Sequence, residues 1–288
     1  MMHTPAIVVG TDGTGSGTAA VRWAAREADR RGLPLLVLHV LEWDWAVSRY
    51  DFSGEAFTAA RDHARTVIME AARVAGEAAP DVAIELRVPV GRPAPQLLDA
   101  SAGAAQLVVG DRGRGGFTGL LLGSVSRRMA AHAHCPVVVV RGRADPGRGP
   151  VAAGVDDSDS ADDVLGAAFA AADARDADLV VVRSYVPAMA AHLGNIPPTG
   201  MATPDQDVVE RDRLARQLEP WQGKYPHVPV QTLVSHESAA AMLAEVSHGT
   251  QLIVVGSHGH GVLTGTLLGS TGTQLLHHAD CPVLIVRG

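Results

Sequence analysis

The feature that most constrains this chain is an internal repeat. Residues 107–142, LVVGDRGRGGFTGLLLGSVSRRMAAHAHCPVVVVRG, align without a gap to residues 253–288, IVVGSHGHGVLTGTLLGSTGTQLLHHADCPVLIVRG. Gly110, Gly113, Gly123 and Cys135 recur as Gly256, Gly259, Gly269 and Cys281, at a constant offset of 146. The starts of the two copies also match, IVVGTDGTGSG against VAAGVDDSDSA, which sets Asp12 opposite Asp156 at an offset of 144. Self-similarity on this scale means one domain built twice, and 288 residues suffice for two ordinary cores. The non-periodic, Gly/Pro-rich stretch RADPGRGP, residues 143–150, reads as the linker, leaving domains at 1–142 and 151–288.

Each copy alternates short apolar runs with segments of helical period. In the first, Ala6–Val9, Leu35–Val40, Val82–Val88, Leu107–Val109 and Pro136–Arg141 read as strands. Gly17–Arg31, Glu55–Ala78, Pro93–Ala102 and Ser124–Ala133 read as helices, the first stopping at Gly32 and the third carrying Pro in its first turn. In the second copy, strands are expected near 151–155, 179–183, 228–234, 252–255 and 282–286. Continuous Val/Leu/Ile strands separated by helices call for a parallel sheet covered on both faces. The expected fold class is α/β, as two doubly wound, Rossmann-like domains with five parallel strands each. Ligands of such sheets sit beyond the carboxyl ends of the strands, where strand order reverses. Asp12 and the glycine-rich loop both follow strand ends, so they are expected to share one crevice.

Charge narrows the partners. The first half carries 16 Lys and Arg against 14 Asp and Glu, the second 8 against 17, for a net −7 in total. Lys224 is the only lysine. A nucleic-acid surface would show a basic stripe interleaved with stacking aromatics, and none is present. No apolar stretch reaches the roughly 18–20 residues of a membrane span, and the N-terminus lacks the charged-then-apolar pattern of a secretory leader. A cytoplasmic protein is expected, with Cys135 and Cys281 as buried thiols.

The chemistry lies in a loop of pattern G-x-x-G-x9-G-S, present as Gly110, Gly113, Gly123, Ser124 and again as Gly256, Gly259, Gly269, Ser270. Backbone N–H groups in a glycine-permitted turn form an anion-binding concavity, and a following helix N-terminus adds open donors and positive partial charge. Phosphate is the expected ligand; a flexible crossover turn is the bland alternative. The loop follows the fourth strand and lacks G-K-[ST], so it is neither a Walker A loop nor a dinucleotide fingerprint. Arg112 and Arg114 flank the first loop where His258 and His260 flank the second, as phosphate-side candidates or as water-exposed loop residues. The arginines stay charged at neutral pH and the histidines titrate near it, so unequal sites are expected. Asp12 and Asp156 read either as ligand contacts or as acids capping the helix that follows.

The strand-then-Asp start, the spaced glycine loop with its Ser and the HCPVVVVR ending together resemble the universal stress protein family, in its tandem-domain, ATP-binding form. The resemblance covers nearly the whole chain. It implies that Asp12 and Asp156 contact the adenosine end of ATP and that Val40 meets adenine through its backbone, with Ser184 at the equivalent second position. It further implies that Gly110, Gly113, Gly123, Ser124 and Val125 wrap ribose and phosphates, as Gly256, Gly259, Gly269, Ser270 and Thr271 do in the second copy, with Mg2+ accompanying ATP. In this family the last strands pair across the domain boundary, and a homodimer of the chain fits the same pattern. The function expected is an ATP-binding regulatory protein of the stress response with two nucleotide sites, acting through occupancy on regulatory protein partners rather than by fast catalysis. Fast phosphoryl transfer would need a placed base, and the loop acid Asp111 becomes Ser257 in the second copy. A slow ATP hydrolase or phosphotransferase, or a nucleotide-free scaffold, are the alternatives.

Overall fold

The computed structural model describes residues 5–43, 54–114, 122–144, 147–185, 204–259 and 268–287. The chain divides into two compact units, Met1–Ala144 and Asp145–Gly288.

In unit 1 the strands are β1 (Ile7–Gly10), β2 (Leu35–Leu38), β3 (Ile84–Arg87), β4 (Gln106–Gly110) and β5 (Val137–Val140). The helices between them are α1 (Gly15–Arg31), α2 (Glu55–Ala78), α3 (Pro93–Ser101) and α4 (Ser124–His132). The sheet order is β3-β2-β1-β4-β5 and every pairing is parallel. Unit 2 repeats it with β6 (Val151–Gly154), β7 (Leu179–Ser184), β8 (Val230–Ser235), β9 (Leu252–Gly256) and β10 (Val283–Val286), in the order β8-β7-β6-β9-β10. Its helices are α5 (Ala161–Asp173), α6 (Pro204–Lys224), α7 (Ala239–Val246) and α8 (Ser270–His278). The expected α/β class is what the chain adopts, with five parallel strands per unit among the described residues.

The apolar runs become strands because both sheet faces are covered. β2, β4 and β5 are buried along their whole length, and Ile7, Leu35 and Leu107 have no exposure at all. Burying one such side chain contributes about 1.5–3 kcal/mol. Edge strand β3 is mostly exposed and carries an outward Arg87–Glu85 pair at 2.8 Å. α1 turns Ala20, Val21, Ala24, Ala25 and Ala28 inward, a helical stripe of small side chains that lets it lie close to the sheet. It begins at Gly15, two residues before the sequence-based start, because Thr14 caps it: the Thr14 side chain accepts from Gly17 N–H. It ends on Gly32, left-handed at φ 60°.

Strand order reverses between β1 and β4 in unit 1, and between β6 and β9 in unit 2. Gly10, the last residue of β1, stands in register with Val109 of β4. The segments that continue from these two strands, one carrying Asp12 and the other the glycine loop, therefore leave the sheet side by side.

Candidate functional site

Over that reversal point in unit 1 lies a cavity of about 590 Å³. Leu38, Val40 and Leu41 at the end of β2, with Ala60 and Ala64 of α2, supply apolar lining. Gly123, Ser124, Val125 and Ser126 at the start of α4, with Arg112 and Arg114, supply polar lining. Asp12, Gly110 and Gly113 complete the set, so every unit 1 position proposed from the sequence to contact the nucleotide borders this one space.

The Val40 backbone is open for a reason of register. His39 N–H donates to Arg87 O (3.1 Å) and Leu41 N–H to Pro89 O (2.9 Å), both toward β3. In a parallel ladder alternate residues face opposite neighbours, so Val40 turns its N–H and C=O toward β1. That strand has already ended: its last bond on this side runs from Thr11 N–H to Leu38 O at 3.0 Å. A donor and an acceptor one residue apart from their ladder partners are left to face the cavity.

Asp12 organises the opposite lip. Its Oδ1 accepts from Thr14 N–H (3.0 Å) and Thr14 Oγ1 (2.7 Å), and its Oδ2 accepts from the Arg114 amide at 2.8 Å. The carboxylate thus both shapes the start of α1 and tethers the glycine loop. A second hook runs through Ser16, which donates to Asp111 Oδ1 at 2.6 Å and accepts from Arg112 N–H at 3.3 Å. Ser126, buried at the base, donates to Gly110 O at 2.6 Å.

These contacts explain the glycines differently from the sequence reading. A Cβ at Gly110 would lie 2.8 Å from the Ser16 carbonyl carbon and oxygen, and one at Gly113 would lie 2.7 Å from Asp12 Oδ2. Both glycines are required by the close passage of the loop over the Asp12 turn and the start of α1. The Gly123 N–H is taken, donating to Asp111 O at 2.7 Å. As N-cap of α4, Gly123 has no side chain to cap the helix, so the amides of Ser124, Val125 and Ser126 remain suited to an anion.

His39, missed from the sequence, is buried beside the cavity with Nδ1 2.8 Å from Thr11 O. Burial pushes its pKa below 6.5; the bond to Thr11 works against this, while Arg114 and His63 reinforce it. The neutral ring carries its proton on Nδ1, which leaves Nε2 as an acceptor. The signal was the single polar residue within the apolar run LLVLHVL.

Unit 2 repeats the frame with different contents. Asp156 Oδ1 accepts from Ser158 N–H (2.9 Å) and Ser158 Oγ (2.5 Å), and a Cβ at Gly259 would stand 2.9 Å from its Oδ2. Gly256 lies against Ser160 and the His258 carbonyl. Gly269 N–H donates to Ser257 O at 2.9 Å, as Gly123 does to Asp111. Gly269 is the N-cap of α8, whose first residues are Ser270, exposed, and Thr271, half-buried. His258 is exposed with its ring 3.1 Å from Ser257 Oγ; His260 lies outside the described residues. The register pairs Ile7 with Leu35 and Val151 with Leu179, so Arg183 and Ser184 take the places of His39 and Val40. Arg183 is only 3% exposed. It meets Glu210 Oε2 at 2.8 Å, Asp157 Oδ1 at 2.7 Å and Gln217 Oε1 at 3.2 Å. Burial opposes its charge, and the bonds to Asp157 and Glu210 outweigh that, so its pKa is raised.

Comparison with known proteins gives a consistent picture. The model of the universal stress protein family matches twice, over residues 4–141 and 148–287. A universal stress protein of Mycolicibacterium smegmatis is 35% identical over 290 residues, covering 98% of this chain and 96% of its own. One from Mycobacterium tuberculosis H37Rv is 33% identical over 294 residues, with the same coverage of 98% and 96%. The crystal structure of a universal stress protein from Archaeoglobus fulgidus shares the fold at a TM-score of 0.70 and 19% identity, over 99% of both chains.

Proposed function

The chain belongs to the universal stress protein family, and from that membership we propose that it is an ATP-binding protein of the stress response, acting through nucleotide occupancy rather than turnover. The observation that carries this reading is the unit 1 cavity. It joins an apolar slot with an exposed backbone donor and acceptor at Val40 to a helix N-terminus with open amides and two arginines. Adenine has the matching shape and edge for the first part, and a triphosphate has the matching charge for the second. Asp12 stands between them, beside the ribose. Gly113, Ser124 and Val125 approach the phosphates with Arg112 and Arg114, the arginines as permanent charges.

Occupancy rather than chemistry is supported by the state of the acids. Asp111 is engaged by Ser16, with the Arg112 guanidinium 3.5 Å away, and Asp12 is engaged by Thr14 and the Arg114 amide. A base for an attacking water would have to give up such bonds first. Among the described residues no cluster of three metal-ligating side chains occurs, so Mg2+ in this reading is carried in by the phosphates. No helix among the described residues is long and apolar enough to cross a membrane. The partners in this reading are cytoplasmic regulatory proteins that sense the filled or empty state.

The test is to denature freshly purified protein with acid and identify the released nucleotide by chromatography, with its ratio to chain. Bound ATP is the expected result. Mostly ADP would favour slow hydrolysis, and no nucleotide, followed by failed ATP titration, would leave the scaffold reading.

A further inference from the structure

We propose that unit 2 fills its own base pocket, with Arg183, Glu210 and Asp157 standing where unit 1 leaves room for a purine, so that the chain takes one nucleotide and takes it in unit 1. The proposal rests on the nucleotide reading above for unit 1 and goes beyond it in assigning a stoichiometry and the side chains that set it.

The two units can be compared position by position. Strand register equates Arg183 with His39. For the helices, the matching turns that follow them, Val82 N–H to Ala79 O and Val228 N–H to Tyr225 O, and the strand register of Leu35 with Ile84 and Leu179 with Val230 set an offset of 146. This equates Glu210 with Ala64, Arg213 with Val67 and Leu214 with Ile68. Contacts agree with that alignment. Val67 packs against Gly13, where a Cβ would lie 3.0 Å away, and Arg213 pairs with Asp157, the counterpart of Gly13, at 3.1 Å.

The substitutions all run the same way. Where unit 1 has Gly13, Ala64 and Val67, unit 2 has Asp157, Glu210 and Arg213, and the buried ring of His39 becomes a full-length guanidinium. Ala64 and His39 border the unit 1 cavity. Their counterparts are joined to one another: Arg183 to Glu210 and Asp157, and Arg213 to the same two carboxylates at 3.0 and 3.1 Å.

Four charges in a ring, two of each sign, hold each other in the space. Glu210 is 7% exposed and Arg183 3%. A purine entering there would have to part Arg183 from Glu210, and breaking a buried pair leaves an uncompensated charge. Unit 1 asks for no such displacement. The glycines of the unit 2 loop sit close to the chain itself, with a Cβ at Gly259 2.9 Å from Asp156 Oδ2 and one at Gly256 3.0 Å from the His258 carbonyl oxygen, so they have a use apart from any ligand. The repeat of the motif is therefore compatible with the loss of the site.

The experiment is an ATP-Mg titration of the full chain, freed of nucleotide, followed by calorimetry. The expected result is one equivalent per chain, with any second event at least a hundredfold weaker. Ala60→Leu, which fills the unit 1 slot, should remove that equivalent. The double variant Arg183→His with Glu210→Ala, which gives unit 2 the side chains of unit 1, should add a second one. Two equivalents of similar affinity in the unaltered chain would overturn the proposal, as would one equivalent that survives Ala60→Leu. A folded double variant, judged by circular dichroism, that still binds only one would overturn the role of Arg183 and Glu210. If that variant does not fold, the unaltered chain and Ala60→Leu decide. No binding in any form would overturn the nucleotide reading itself, and the proposal with it.

Discussion

At the scale of single residues, glycine is placed where the chain passes close to itself. Gly113→Ala puts a methyl 2.7 Å from Asp12 Oδ2, which pushes the loop off the carboxylate that tethers Arg114 N–H. ATP affinity should fall about tenfold, or about 1.4 kcal/mol, in a titration. Gly76→Ala is the control: in α2 its added methyl meets no atom within 4 Å. There the same change should stabilise by about 0.5 kcal/mol in urea unfolding, since only chain entropy is affected. His39 sets a pH dependence of stability. Its pKa is held below 6.5 in the fold, chiefly by burial, so the unfolded chain binds a proton that the folded chain refuses. The contribution is complete above pH 6.5 and is lost progressively as pH falls below it, toward the lowered folded value. Urea midpoints measured at about pH 7.5 and about pH 5.5 should therefore differ less in His39→Gln than in the unaltered chain.

At the scale of elements, the site is made by where strands and helices stop. β1 ends four residues before α1 is capped, and that gap exposes the backbone of Val40 on the neighbouring strand. α4 begins on a glycine with no side-chain cap, and that omission leaves its first amides open. The two ends are locked by Ser126, which reaches from the first turn of α4 to the last carbonyl of β4. Ser126→Ala should lower stability by about 1 kcal/mol, because a buried acceptor loses its partner. It should also weaken ATP binding, by letting the helix start drift from the loop; equal stability and affinity in the variant would show that the lock is idle. The counterpart position in α8 is Gly272, so unit 2 has no such lock.

At the scale of the whole molecule, two copies of one fold carry different interiors. A ligand that binds only the folded form stabilises it by mass action, by about 2.7 kcal/mol at a hundred times its dissociation constant. With one site, that stabilisation should appear in unit 1 alone. Hydrogen exchange with and without ATP should show added protection at residues 38–41, 60–64 and 111–114, and none at 182–185 or 210–217. Protection of both sets would point to two working sites.

The repeat, the strand and helix order and the parallel class were legible in the sequence, because each depends on local pattern: apolar runs, helical period and glycine spacing that survive duplication. Meeting of Asp12 with the glycine loop was legible too, since both follow strands that a doubly wound order places side by side. The purpose of the glycines was not, because it depends on which atoms pass within 3 Å when the loop crosses α1. Nor was the fate of Arg183. In VVVRSY it reads as a polar residue closing a strand, and Glu210 lies 27 residues further on in a helix of mostly polar composition. Only the packing of α6 against β7 brings the two together, because a buried charge finds its partner through tertiary geometry, whereas a strand or a helix is written in its own short stretch of chain.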